Sequence, residues 1–244
     1  MISTYLRRGL AAGLMAGLLA GLFAFFVGEP LLDRAVALEE SASHAHDRGT
    51  AAHVHEEEAP FGRTAQKVGL FFATGLSGVF VGGLFGLAFA YFRDRLASGS
   101  DWNRSLTLAA ALFVGVALVP FLKYPANPPS VGDPETIGVR TIAYFGLVAI
   151  SLITLLMAWQ VYGRLRERGV SLPVRQVAVG LGAVVVVAVL YRVLPPSADP
   201  GEFPAGLLWE FRLSSLGTQL VLWTGLGLLF GALCERAGSR EELA

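Results

Sequence analysis

The sequence predicts an all-helical polytopic membrane protein with six spans, or five if one apolar run is discounted. Three observations predict it. First, the 244 residues are 54% hydrophobic and only 16% charged, against about 25% charged in soluble domains. Second, the apolar residues are gathered into uncharged runs at Gly9–Gly28, Val68–Phe92, Ser105–Leu122, Thr141–Gly163, Gln176–Tyr191 and Leu213–Cys234. A spanning helix needs about 20 mainly apolar residues, within a range of roughly 17 to 25. Third, the runs are apolar on every face, whereas a soluble amphipathic helix keeps a polar side. The whole chain, 1–244, reads as one integral membrane domain.

The balance of charge excludes other classes. Nineteen basic residues face nineteen acidic ones. Disorder needs low hydrophobicity and high net charge. A nucleic-acid binder needs a basic excess, so no nucleic-acid partner is expected. The single cysteine leaves no intrachain disulfide framework.

The first helix is expected over about 9–28. Arg7 and Arg8 precede it, and Ala35-Val36-Ala37 offers a signal-peptidase site. Signal h-regions run about 7–15 residues. This run is longer, and Glu29, Asp33 and Arg34 separate it from that site, so it reads as a retained span. Gly9, Gly13, Gly17 and Gly21 recur every four residues. The second helix, about 68–92, carries Gly78, Gly82 and Gly86 at the same spacing. Small residues four apart form a smooth face where backbones approach closely, so these rows predict tight helix packing or a sliding seam.

The third helix, about 105–122, ends in a stiff segment with four prolines between Lys123 and Glu135, which forbid further helix. The fourth covers about 141–163. The fifth has sixteen residues before Arg192 and reaches Leu194 if that arginine snorkels to the interface. The sixth covers about 213–234. Gln160 and Gln219 lie deeper in their spans, where amides most often bond between helices.

Orientation follows from the loops. With the N-terminus inside, the inner segments hold eleven basic against six acidic residues, a net of +5 that leaves −5 outside. Lys and Arg excess marks the cytoplasmic side, so both termini are expected there. The multi-pass protein would lie in a bacterial cytoplasmic membrane, its bilayer the first partner.

The long connection 29–67 then lies outside and holds all four histidines: His44-Ala45-His46 and His53-Val54-His55. In an extended segment residues i and i+2 point to one side, so each pair could present two imidazoles to one ion. Asp47 and Glu56 flank them and could add a ligand. Imidazole suits Co²⁺, Ni²⁺, Cu²⁺ and Zn²⁺. A solvated polar loop or a pH sensor are the competing readings. Candidates for a translocation path are Glu29, Asp33, Lys123, Asn127, Arg140, Glu210 and Arg212, because ionisable groups at this depth pair or serve function. Lys123, Arg140, Glu210 and Arg212 could form one outer network, or Tyr124 and Trp209 could simply anchor the interface.

Catalytic chemistry is absent. No G-x-x-x-x-G-K-[ST] is present, so the chain has no Walker site. His55-Glu56 fails as H-E-x-x-H because position 59 is Ala59. Gly75-Leu76-Ser77-Gly78 matches a rhomboid-type G-x-S-G, but no span carries a histidine base. Cys234 reads as a small apolar residue. No enzyme and no organic cofactor are expected.

Several of these segments resemble one bacterial family. The Arg-plus-glycine first helix, the histidine loop, Phe121-Leu122-Lys123-Tyr124-Pro125-Ala126-Asn127-Pro128-Pro129 and Trp209-Glu210-Phe211-Arg212-Leu213 are similar to the actinobacterial branch of CbtA, a probable cobalt transporter subunit. Family descriptions often give five spans, against six counted here. The resemblance implies cobalt as the carried ion, with nickel or zinc as alternatives. It also implies a small single-span CbtB-type partner, and it maps the family's histidine loop onto His44, His46, His53 and His55. The expected function is therefore a permease subunit for a divalent transition metal. A non-transporting metal-binding scaffold or sensor, working with a partner channel, is the alternative. A homo-oligomer is compatible with either.

Overall fold

In the computed structural model, residues 2–47, 62–96, 99–129 and 131–241 are described, and side chains are described for all of these except 42–47, 64 and 237–241. Among them no strand occurs. Six helices are long and apolar enough to cross a membrane: α1 Ile2–Ser41, α2 Ala65–Arg95, α3 Asp101–Lys123, α4 Pro134–Glu167, α5 Leu172–Val193 and α6 Ala205–Arg236. Most overrun the apolar runs, because polar residues at either end of a span can continue the same backbone hydrogen bonding. The fifth does continue through Arg192.

Two helices are interrupted in the same way. In α1 the residues Ala24–Gly28 form a π turn, and the Glu29 N–H donates to the Ala24 carbonyl. In α3 the π turn is Phe113–Leu118, and the Val119 N–H donates to the Val114 carbonyl. Pro30 and Pro120 follow each turn after one intervening residue. A proline lacks an N–H and its ring clashes with the carbonyl four residues back. Widening the preceding turn relieves that clash, which is why π turns and prolines accompany bends in helices.

The connection expected over 29–67 is shorter than the sequence suggested. The helical backbone that starts at Glu29 continues to Asp47, and regular helix resumes at Arg63. Leu31 and Ala35 are buried on this extension, so an apolar stripe carries the helix past its hydrocarbon run.

Where the sequence reads as one domain, the contacts group into two compact units. The first takes in the described residues of Met1–Ala110, Asn127–Ser130 and Glu202–Ala244. Its seam is α1 against α2. A Cβ on Gly82 would stand 2.6 Å from the Gly13 Cα, and one on Gly78 2.7 Å from the Gly17 Cα. Only hydrogens fit in that space, so the two glycine rows bring the backbones into contact. Below the seam, Phe85 and Phe89 of α2 and Phe230 of α6 are fully buried, with ring centroids 5.1 and 4.8 Å from Phe230. The first half of α3 packs on α6 through Ser105, whose hydroxyl donates to the Gly227 carbonyl at 2.7 Å.

The second unit takes in Ala111–Ala126 and Val131–Gly201. The buried line Ala143, Leu147 and Ser151 of α4 packs on the upper part of α3. A Cβ on Gly115 would meet the Leu155 side chain, with Cδ1 at 2.5 Å. On α5 no residue is buried; such a helix is stable only where lipid, not water, surrounds it.

Candidate functional site at one end of the first unit

Glu29 and Asp33 are four residues apart on α1, and Arg63 and Lys67 are four apart on the helical turns that lead from Arg63 into α2. Residues four apart share a helix face, so two acids meet two bases across the packed pair. The Arg63 guanidinium bonds Glu29 Oε2 at 3.1 Å and also reaches Asp33 Oδ1. Lys67 Nζ stands 3.0 Å from Asp33 Oδ2. Arg63 also donates to Gln66 Oε1 at 2.7 Å. The Glu29 side chain is only 11% exposed, so its charge needs this partner. The two carboxylates expected from sequence on the translocation path are thus brought together, but each already holds a basic side chain.

The other acid at this end, Glu210, lies 3.7 Å from Arg34 with both side chains largely exposed, a pairing of little energetic weight. Arg212 donates to Asn127 Oδ1 at 2.8 Å. In the second unit, Lys123 Nζ donates to the Tyr191 carbonyl at 2.9 Å, and the Tyr191 hydroxyl donates to the Val119 carbonyl. Tyr124 donates to the Pro195 carbonyl at 2.8 Å; burial pushes its hydroxyl pKa up, so it remains a donor throughout the physiological range. Arg140 donates to the Asp133 carbonyl at 3.1 Å. The vestibule residues therefore divide: Glu210, Arg212 and Asn127 have partners within the first unit, and Lys123 and Arg140 have partners within the second.

The metal-ligand expectations fall largely elsewhere. His53, His55 and Glu56 lie outside the described residues. His44, His46 and Asp47 lie on the helical backbone that ends at Asp47, and their side chains lie outside what is described. The extended geometry assumed for the first H-x-H gives way to helix, where residues two apart differ by about 200° around the axis. Among the described residues no group of three His, Cys, Asp or Glu could hold a metal ion.

Arg63 and Lys67 were missed as site residues. The signal was present: a basic i, i+4 pair matching an acidic i, i+4 pair across a helical hairpin.

At the opposite end of this unit, Arg93 Nε bonds both oxygens of Asp101 at 2.9 and 3.1 Å, and Arg104 bonds one of them at 3.0 Å. This knot ties the end of α2 to the start of α3.

The model of one family, described as probable cobalt transporter subunit (CbtA), matches residues 2–235. The chain belongs to the CbtA family. No curated protein and no solved structure matches it. The family match covers all six helices, so this CbtA chain is a multi-pass membrane protein and a subunit of a probable cobalt transporter. The word subunit implies a partner component.

Proposed function

We propose that the chain is the membrane subunit through which a divalent transition-metal ion, cobalt before nickel or zinc, enters a bacterial cell. The observation that carries this reading is the CbtA match over residues 2–235 on a chain with six spanning helices. In this reading both termini are cytoplasmic and the Glu29 end faces outward. His44, His46, His53 and His55 capture the ion as neutral imidazoles, with Asp47 and Glu56 as supplementary ligands. Glu29, Asp33 and Glu210 then receive it. Lys123, Asn127, Arg140 and Arg212 order the entrance, and a small single-span CbtB-type subunit completes the transporter.

The ion pairs add a step to that hand-over. Arg63 and Lys67 occupy the carboxylates, so an arriving divalent ion must displace them. Exchange of one set of charges for another keeps the partly buried Glu29 neutralised throughout, which avoids a large desolvation cost.

The same ion pairs favour a second reading. Carboxylates already neutralised, and no three-ligand group among the described residues, suit a scaffold or sensor that binds metal for a partner channel. Metal-resolved uptake into proteoliposomes separates the two. Cobalt flux that depends on this chain, alone or with the partner, supports the permease. Metal binding without flux in either preparation supports the scaffold.

A further inference from the structure

Within the second unit a groove runs between α4 and α5. Met157 and Val161 line it from α4, and Val179, Gly182 and Val186 from α5. The Thr154 hydroxyl at its far end donates to the Ile150 carbonyl at 2.8 Å, and the rest of the lining is apolar. The groove holds about 210 Å³ and extends from Ala178 to Val186 along α5, about 12 Å of helix axis. Spread over that length, the volume is the width of one hydrocarbon chain. A helix with its side chains is about 10–12 Å across and would not enter. No residue of α5 is buried, so the groove lies open to the acyl layer.

One end of the groove is basic. Met157, Val161, Arg164 and Arg168 follow one another at steps of four, three and four residues, the repeat of a single helix face. On the other wall Arg175, Val179, Gly182 and Val186 repeat the same steps. Each helix therefore sets arginine in line with its groove face, where α4 ends and α5 begins. The Arg175 Cζ lies 5.0 Å from the centre of the Tyr162 ring of α4, which fixes it at that junction, and its Nε is buried without a partner. Between Arg164 and Arg175 the chain has one acid, Glu167. Among the described residues none of these groups forms an ion pair. By contrast, Arg93 and Arg104 of the first unit share Asp101. Unpaired guanidiniums at the end of an apolar groove between spanning helices match a ligand with an anionic head and a hydrocarbon tail.

We propose that this groove is a binding site for an anionic phospholipid. One acyl chain lies along Val161, Val179, Gly182 and Val186, and Arg164, Arg168 and Arg175 hold the phosphate. Arginine suits that task because its planar fork bonds two phosphate oxygens at once. Charge selects the headgroup, since a zwitterionic lipid with the same chains brings its own cation against three guanidiniums. The bound chain adds packing along α5, whose residues are otherwise unburied.

The test uses the full chain, delipidated in a nonionic detergent. Phosphatidylglycerol and phosphatidylcholine with identical acyl chains are the probes, and native mass spectrometry counts the bound lipid. The wild type should bind one phosphatidylglycerol at least tenfold more tightly than phosphatidylcholine. Arg175→Gln should lower phosphatidylglycerol affinity at least fivefold. Arg166→Gln makes the same change of charge, but Arg166 stands about 200° around the axis from Arg164, and affinity should stay within twofold. Nothing lies within 4 Å of a Cβ on Gly182 or on Gly180. Gly182→Leu should therefore fill the groove without parting the helices and lower affinity for both lipids at least fivefold, whereas Gly180→Leu, off the groove face, should leave it unchanged. Should Gly182→Leu fail to fold, Ala178→Leu narrows the same groove and gives the same reading. Equal binding of the two lipids overturns the site, as does an Arg166→Gln loss as large as that of Arg175→Gln. Unchanged affinity in the groove-filling variant overturns it too. Displacement of the lipid by millimolar inorganic phosphate would reduce the groove to a simple anion site and overturn it equally.

Discussion

Replacing Gly82 with alanine tests the seam that holds the first unit together. The added Cβ would stand 2.6 Å from the Gly13 Cα, where carbon atoms prefer about 3.5–4.0 Å. Flexible side chains could swing aside, but the obstructing atoms here are backbone. The helices must therefore part by about 1 Å, and a gap of that size forfeits a quarter to a half of each contact's attraction. Overpacking of this kind costs about 1–3 kcal/mol. Alanine returns about 1 kcal/mol of helix propensity, leaving a net loss of about 0–2 kcal/mol. Gly69 is the control: it lies on the same helix with nothing within 4 Å of its Cβ position, so Gly69→Ala should be neutral or slightly stabilising. Unfolding in mixed micelles, titrated with a denaturing detergent, measures both. Adding Gly13→Ala to Gly82→Ala should cost less than the sum of the singles, because one separation accommodates both methyl groups. Equal stability of the Gly82→Ala and Gly69→Ala proteins would refute the backbone-contact account.

Three further outcomes are expected. Ser105→Ala removes the hydroxyl that donates to the Gly227 carbonyl and should cost about 0.5–1.5 kcal/mol in the same titration, the scale of hydrogen bonds between membrane helices. Arg63→Ala leaves the Glu29 carboxylate, 11% exposed, without its cation and should cost about 1–3 kcal/mol, whereas Arg34→Ala at the exposed pair should change stability by less than about 0.5 kcal/mol. Replacing His44, His46, His53 and His55 together should lower cobalt uptake at limiting metal. Wild-type uptake should itself decline below about pH 6, since a protonated imidazole cannot ligate a metal; uptake that ignores both changes would end the capture role.

The spans were legible because hydrocarbon thickness sets a length and composition that a single chain must meet alone. Six runs were visible, including the fifth, where Arg192 continues the helix to Val193. The polar continuation of α1 to Asp47 was not, since Glu29, Asp33, Glu39 and Glu40 read as loop when the buried Leu31 and Ala35 are not known. The glycine rows announced close packing by their spacing. Which row met which depended on the register between α1 and α2, and that is set by both helices at once.

The site divides in the same way. The sequence by itself determined the membrane class, the glycine periods, the confinement of every histidine to one connection, and the resemblance to the CbtA family, because each is a property of local composition and order. Only the tertiary structure decided that Glu29 and Asp33 are neutralised by Arg63 and Lys67, some thirty residues away. Pairing is a matter of which helices become neighbours. In a bilayer the apolar runs look alike to lipid, and close backbone fit, together with the few polar groups that need partners, chooses the neighbours.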